Sequence, residues 1–161
     1  MDASALGELI AARGPGLILY ARQWTAAPED AVQEAFLKLS RQRRPPERVV
    51  PWLYRVVRNE AIDRARAEKR RQRHETRAAS RNEGWFHVDD DLDANAVTTA
   101  LASLPDEERE IIVMHLWGGL TFAEMATVVN ATPSSVHRWY GMGIERLRER
   151  LDVPCPKSKT R

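Results

Sequence analysis

Apolar residues recur along this chain at three- and four-residue spacings, and alternating strand-like stretches are almost absent. A first helix is predicted over residues 4–13, stopping at Gly14-Pro15-Gly16. A second covers 17–24, with Leu17, Ile18, Tyr20 and Ala21 available to a core. Pro28 fits the first turn of a third helix, where Glu29 and Asp30 complement the dipole. That helix buries Val32, Ala35, Phe36 and Leu39, and turns Asp30, Gln33, Glu34 and Lys38 outward. Arg43-Arg44-Pro45-Pro46 breaks the pattern before a helix that begins near Pro51. Its buried stripe is Trp52, Leu53, Val56, Val57, Ala61 and Ile62. Beyond Ala65 the apolar face is lost to arginines. Such a tail stays helical only where it is solvated or bound to something acidic.

From about residue 78 the chain reads as a linker, with Ser80, Asn82, Gly84 and then Asp89-Asp90-Asp91. Trp85, Phe86 and Val88 interrupt it; such a patch more often packs on a neighbouring domain than binds a ligand. Helices resume over 93–103, 106–117, 122–130 and 133–151. Thr121-Phe122-Ala123-Glu124 has the form of a capping box. Phe122, Met125, Ala126 and Val129 make the inner face of the short helix that follows. Asn130 tolerates a left-handed break, and Thr132-Pro133 starts a second helix. There Val136, Tyr140, Gly143 or Ile144, and Leu147 point inward. Ser134, Ser135, His137, Arg138, Gly141 and Met142 lie on the opposite face. A capped short helix, a tight turn and a helix with a polar first half suit entry into a DNA major groove. A plain helical hairpin fits the same residues, and this segment alone does not choose between them.

Charge changes the picture. Residues 41–81 hold 14 Arg/Lys against 5 Asp/Glu, whereas 82–110 hold 1 against 9, although the net charge is only +2. A cationic block beside an anionic one suggests a polyanion-binding surface followed by a segment that avoids it. At 161 residues each half is near the lower limit for a core of its own, so part of the stability is expected from a partner. The single cysteine, Cys155, cannot form an internal disulfide, and the expected compartment is reducing cytoplasm. No stretch approaches the roughly 20 apolar residues of a membrane span, and no signal peptide is evident. His74, His87, His115 and His137 have no ligand spacing to one another or to Cys155. No phosphate-cradling glycine loop is present either, since Gly118-Gly119 simply ends a helix. No metal, cofactor or catalysis is therefore expected, and His115 reads as a partly buried structural residue.

The order of parts decides the rest. Glu29-Asp30-Ala31-Val32-Gln33-Glu34-Ala35-Phe36-Leu37 comes first, then Trp52-Leu53-Tyr54-Arg55-Val56-Val57-Arg58-Asn59-Glu60-Ala61-Ile62-Asp63. Ala102-Ser103-Leu104-Pro105 precedes an acidic helix and the helix-turn-helix. In this order the chain resembles the bacterial sigma-70 family of RNA polymerase initiation factors, in its small extracytoplasmic-function (ECF) group. The resemblance covers roughly 5–75 and 95–151. It implies an all-α fold of two small domains, a sigma2-like bundle at 1–77 and a sigma4-like helix-turn-helix at 95–152. An acidic flexible linker at 78–94 joins them, and 153–161 form a polar tail.

The resemblance also implies roles. Asp30, Gln33, Glu34 and Leu37 match positions that grip the beta-prime clamp helices of polymerase core, and the second domain would meet the beta flap. Loop 41–50 and the helix from Trp52 match the reader of the promoter −10 element, where a base is flipped and melted non-template strand is held. Arg55, Arg58 and Asn59 would lie at the bases. Arg64, Arg66, Lys69 and Arg70 would follow phosphates, giving salt-sensitive affinity. Trp52 reads more as core than as a stacking platform. Ser134, Ser135, His137, Arg138, Gly141 and Met142 match the face turned to double-stranded −35 DNA, with Arg138 suited to guanine. Trp139 and Arg146 would lie nearer the backbone. Asp89-Asp90-Asp91 would run where nascent RNA later passes. Sequestration by an anti-sigma factor is common in the group, though no residue here points to one.

The chain departs from the family's pattern at two places. Gly141 and Met142 stand where relatives carry longer hydrogen-bonding or aromatic side chains, which leaves direct −35 reading thin or shifted towards DNA shape. Loop 41–50 is short, rich in Arg and Pro, and has no aromatic to capture a base. The rival to an initiation factor is a two-domain DNA-binding regulator acting without polymerase, which would not need the outward face of Asp30, Gln33, Glu34 and Leu37.

Overall fold

The structure, a computed structural model, describes residues 2–74 and 92–151. Every regular element among them is helical: α1 (Ala3–Ala21), α2 (Pro28–Ser40), α3 (Val49–His74), α4 (Leu92–Ala102), α5 (Asp106–Leu116), α6 (Phe122–Val129) and α7 (Pro133–Arg150). The Trp85, Phe86 and Val88 patch, the Asp89-Asp90-Asp91 run and Cys155 lie outside the described residues. Helices α1, α2 and α3 pack on one another as one bundle, and α4 to α7 form a second.

Local chemistry sets most boundaries. Asp2 caps α1 by accepting from the Ala5 amide at 2.8 Å. Pro28 opens α2, with Glu29 and Asp30 in its first turn and Lys38 in its last. The Thr121 hydroxyl and the Glu124 carboxylate cap each other's backbone amides at the start of α6. Asn130, at φ 55°, ends that helix in the left-handed region, which a short polar side chain adopts at lower cost than others. Thr132 then accepts from the Ser135 amide at 3.2 Å and starts α7.

One expectation fails. The break at Gly14-Pro15-Gly16 does not occur, and α1 runs through it without interruption, with Pro15 inside the helix. It stops at Ala21, before Trp24, whose amide only closes a turn onto the Ala21 carbonyl at 3.1 Å. Gly16 supplies clearance rather than a turn, while a Cβ on Gly14 would meet nothing. A Cβ on Gly16 would stand 3.2 Å from the Tyr54 hydroxyl and 3.3 Å from the Trp117 carbonyl. Packing on α3 and α5 outweighs the preference of the isolated tripeptide for a break.

The two bundles are not separate bodies. α1 and α3 touch α5 and α6, and one core cluster runs from Leu17, Tyr20, Ala35, Leu53 and Val57 through Ile111, Met114, Leu120 and Met125 to Val136. A smaller cluster of Leu101, Leu104 and Ile112 is covered by Tyr140, Ile144 and Leu147. Burying one such side chain is worth about 1.5–3 kcal/mol, so a shared core matters to halves this small. The stabilising partner anticipated for each half is thus, in this form, the other half. Tyr54 is completely buried for the same reason. It turns towards α1 and the α5–α6 corner, a face that periodicity within α3 alone leaves unassigned.

Candidate nucleic-acid interface

On α2, Val32, Ala35, Phe36 and Leu39 are buried, as predicted. The opposite face holds exposed Asp30 and Gln33 and half-buried Glu34. Leu37 stands among them 40% exposed, an apolar residue in an acidic surround. Two ion pairs tie this helix to α3. Arg64 reaches the Asp30 carboxylate at 3.6 Å and donates to the Asp30 carbonyl at 3.5 Å. Lys38 pairs with Glu60, and that hydrogen bond raises the lysine's pKa.

Along α3, Arg55, Asn59, Arg66, Lys69 and Arg70 are exposed. Asp63, Arg66, Lys69, Arg70 and Arg73 line an open groove over its last turns. Glu68 tempers this charge by pairing with Arg71 at 2.5 Å. Trp52 is partly buried against the core, on the structural side of the two readings. Arg64 is half-buried and occupied by Asp30, so it does not stand with the exposed cations. Neither does Arg58. Its Nε donates to Glu110 Oε1 at 2.6 Å, and its guanidinium lies 5.8 Å from the Trp24 ring centre. Burial works against its charge, yet the hydrogen bond and the charge of Glu110 raise its pKa.

The helix-turn-helix is built on a ring cluster. His115 lies between Phe122 and Tyr140, with ring centres 5.3 and 5.0 Å away, and its Nδ1 is 2.9 Å from the Leu120 carbonyl oxygen. That is the structural role anticipated for it. Val136 and Gly143 are buried, while Tyr140, Ile144 and Leu147 pack inward beside them. A Cβ on Gly143 would meet Ile112 Cδ1 at 2.6 Å, so α7 crosses α5 closely there. The outer face presents Ser134, His137, Arg138, Gly141 and Met142 to solvent. Ser135 is half-buried under the Thr132 cap. Trp139 leans into the core, and Arg146 pairs with buried Glu108 at 3.2 Å.

Sequence reasoning missed the seam between the bundles. Tyr20 donates its hydroxyl to Glu110 at 2.5 Å, and burial, then the adjacent Glu110, raises its pKa well above the usual phenol value. Arg13 donates to the Gly118 carbonyl at 3.4 Å, Arg109 to Gln23 at 3.4 Å, and Arg48 meets Glu124 at 3.5 Å. Gly118 does more than end a helix: a Cβ there would lie 2.7 Å from the Tyr54 hydroxyl. The signal was the charge asymmetry. The anionic block includes α5, whose Glu110 is laid against an arginine of the cationic α3.

The family described as Sigma-70 region 2 matches residues 9–71, and Sigma-70, region 4 matches 94–147. The ECF RNA polymerase sigma factor SigK of Mycolicibacterium vanbaalenii is 30% identical over 152 residues, covering 88% of this chain and 78% of its own. The RNA polymerase sigma factor CarQ of Myxococcus xanthus is 31% identical over 135 residues, covering 78% and 75%. In overall fold the chain is similar to the sigma factor RpoE solved with the anti-sigma factor NepR from Bartonella quintana. There the TM-score is 0.74 at 21% identity, covering 96% of this chain and 100% of that one. Among the described residues no helix is long and apolar enough to cross a membrane. With both regions matched in order over the helices described above, the chain belongs to the sigma-70 family of RNA polymerase sigma factors, in its ECF group.

Proposed function

We propose that the chain divides its work as initiation factor among three surfaces. Asp30, Gln33, Glu34 and Leu37 of α2 dock on the beta-prime clamp helices of polymerase core. Arg55, Arg58, Asn59, Arg64, Arg66, Lys69 and Arg70 of α3 engage the −10 element and its melted non-template strand. On α7, Ser134, Ser135, His137, Arg138, Gly141 and Met142 face the −35 element, with Trp139 and Arg146 at its edge. The corresponding units are 1–77 and 95–152, joined by 78–94 and followed by a tail at 153–161. The second unit also meets the beta flap. The factor acts in the cytoplasm and has no catalytic chemistry of its own. The likeness in fold to the RpoE chain solved with NepR supports an anti-sigma protein as a further partner.

The observation that carries this reading is the α2 face. An acidic surface with Leu37 40% exposed at its centre suits a protein partner and serves no core of its own. Surface ion pairs contribute about 0–1 kcal/mol, so reversing Asp30 and Glu34 to lysine leaves the fold standing. The double variant is expected to lose binding to polymerase core, and promoter-specific transcription in vitro with it. Core binding that survived the reversal would sink the assignment of this face.

A further inference from the structure

Arg58 belongs to the helix read as the −10 surface, yet its guanidinium is turned into the seam. Its Nε and Nη2 donate to the two oxygens of Glu110, at 2.6 and 3.4 Å. Tyr20 donates to the same carboxylate at 2.5 Å. Glu110 is only 5% exposed. Two N–H groups on two anionic oxygens is also how arginine grips a phosphate. A second contact, Arg48 to Glu124 at 3.5 Å, joins the loop before α3 to the first helix of the helix-turn-helix.

We propose that Glu110 competes internally with DNA: it occupies Arg58 in the free chain and, with Tyr20, latches the two regions into a closed form that promoter engagement must open. This rests on the reading of α3 and α7 as the −10 and −35 surfaces. The two elements lie about 25 base pairs apart by their names, on the order of 85 Å of duplex at 3.4 Å per step. So short a segment is stiff against a persistence length of about 150 base pairs. The longest helix among the described residues, α3, has 26 residues and spans only about 39 Å. With Arg48 and Glu124 in contact, the closed chain serves one element or the other. It cannot serve both.

The test uses the full chain without polymerase. Small-angle X-ray scattering reads closure, and anisotropy of a short, labelled, mixed-sequence single strand reads DNA binding. Glu110→Gln keeps the shape and removes the charge. It is expected to enlarge the particle and raise strand affinity roughly tenfold, the gain when a binding-competent form of about one tenth becomes dominant. Tyr20→Phe, which changes no charge, moves both readings the same way by less and serves as the second variant should E110Q fold poorly. Glu107→Gln, an equal charge change at an exposed position of α5, leaves scattering unchanged. Adding Arg58→Ala to E110Q removes the affinity gain and keeps the expansion. If E110Q shows wild-type scattering and binds no better than E107Q, with helicity intact by circular dichroism, the latch is overturned. If E110Q expands without any gain in binding, the reading of α3 on which the competition rests is overturned instead.

Discussion

Tyr54 and Gly118 meet where nothing larger than hydrogen fits: a Cβ on Gly118 would lie 2.7 Å from the Tyr54 hydroxyl oxygen and 2.4 Å from the Met114 carbonyl. The carbonyl is backbone and cannot swing aside. Gly118→Ala is therefore expected to cost about 1–3 kcal/mol, the usual range for overpacking. Gly141 sits in a helix with open space around its Cβ position, so Gly141→Ala should add about 0.5–1 kcal/mol. Urea unfolding of both variants measures the contrast. Equal shifts in the same direction would remove the steric argument.

Arg138 and Arg146 share α7 but have different work. Arg138 is exposed on the outer face, so Arg138→Ala should weaken protection of the upstream promoter element more than of the −10, as read by footprinting of the holoenzyme. Arg146 neutralises Glu108, whose side chain is 4% exposed. Arg146→Ala strands that carboxylate and should cost about 2 kcal/mol of stability, below the value for a fully buried pair because the arginine keeps one side in water. Thermal denaturation separates the two: R138A melts like wild type, and R146A melts lower.

Acid should loosen the helix-turn-helix at its first cap. The Thr121 backbone amide holds the Glu124 carboxylate at 2.9 Å, and with the Thr121 hydroxyl and Arg48 it lowers the carboxyl's pKa from 4.5. A group with a depressed folded pKa contributes stability above its unfolded pKa and loses it as pH falls through the folded one. Stability should therefore decline below about pH 4.5, and Glu124→Gln should flatten that part of the profile. A Glu124→Gln profile parallel to wild type across the window would contradict the cap's role.

Alkali acts on the seam with the opposite sign. Burial pushes the Tyr54 phenol up to about 12 from 10.0. A raised folded pKa gives stability that is complete below the unfolded value and lost as pH rises through the folded one. Unfolding free energy should thus fall from pH 10 upward, and Tyr54→Phe should lose less over the same interval. Guanidinium titrations on either side of pH 10 measure the difference.

Elements specified by neighbours in sequence were legible from it. Thr121 with Glu124, Asn130, and Thr132 with Pro133 carry the helix-turn-helix within a dozen positions, and the structure repeats that reading closely. The faces of α2 and α7 were legible because their buried residues keep one helical spacing. What could not be read depends on contacts across the chain. Tyr54 is buried by α1 and the α5–α6 corner, and Glu110 is buried against Tyr20 and Arg58. No local pattern marks such residues. The charge asymmetry points to the seam only indirectly: an anionic segment is expected to avoid DNA, and α5 also lies against the cationic helix. Of the arginines proposed for the DNA surfaces, Arg138 and Arg55 are exposed, whereas Arg58, Arg64 and Arg146 are already engaged within the chain.

Pro15 gives α1 an uneven interior. It has no amide hydrogen, so the Ala11 carbonyl, on an exposed turn, lacks its usual donor within the helix. Before the proline Leu6 and Leu9 are only partly buried against the core and Gly14 alone is buried, whereas after it Leu17, Tyr20 and Ala21 are completely buried. The helix is continuous in geometry but not in cooperativity. Its first three turns can fray while the remainder stays docked. Amide exchange should accordingly be fast up to Gly14 and slow from Leu17 onward, with a step at the proline rather than a gradient along the helix.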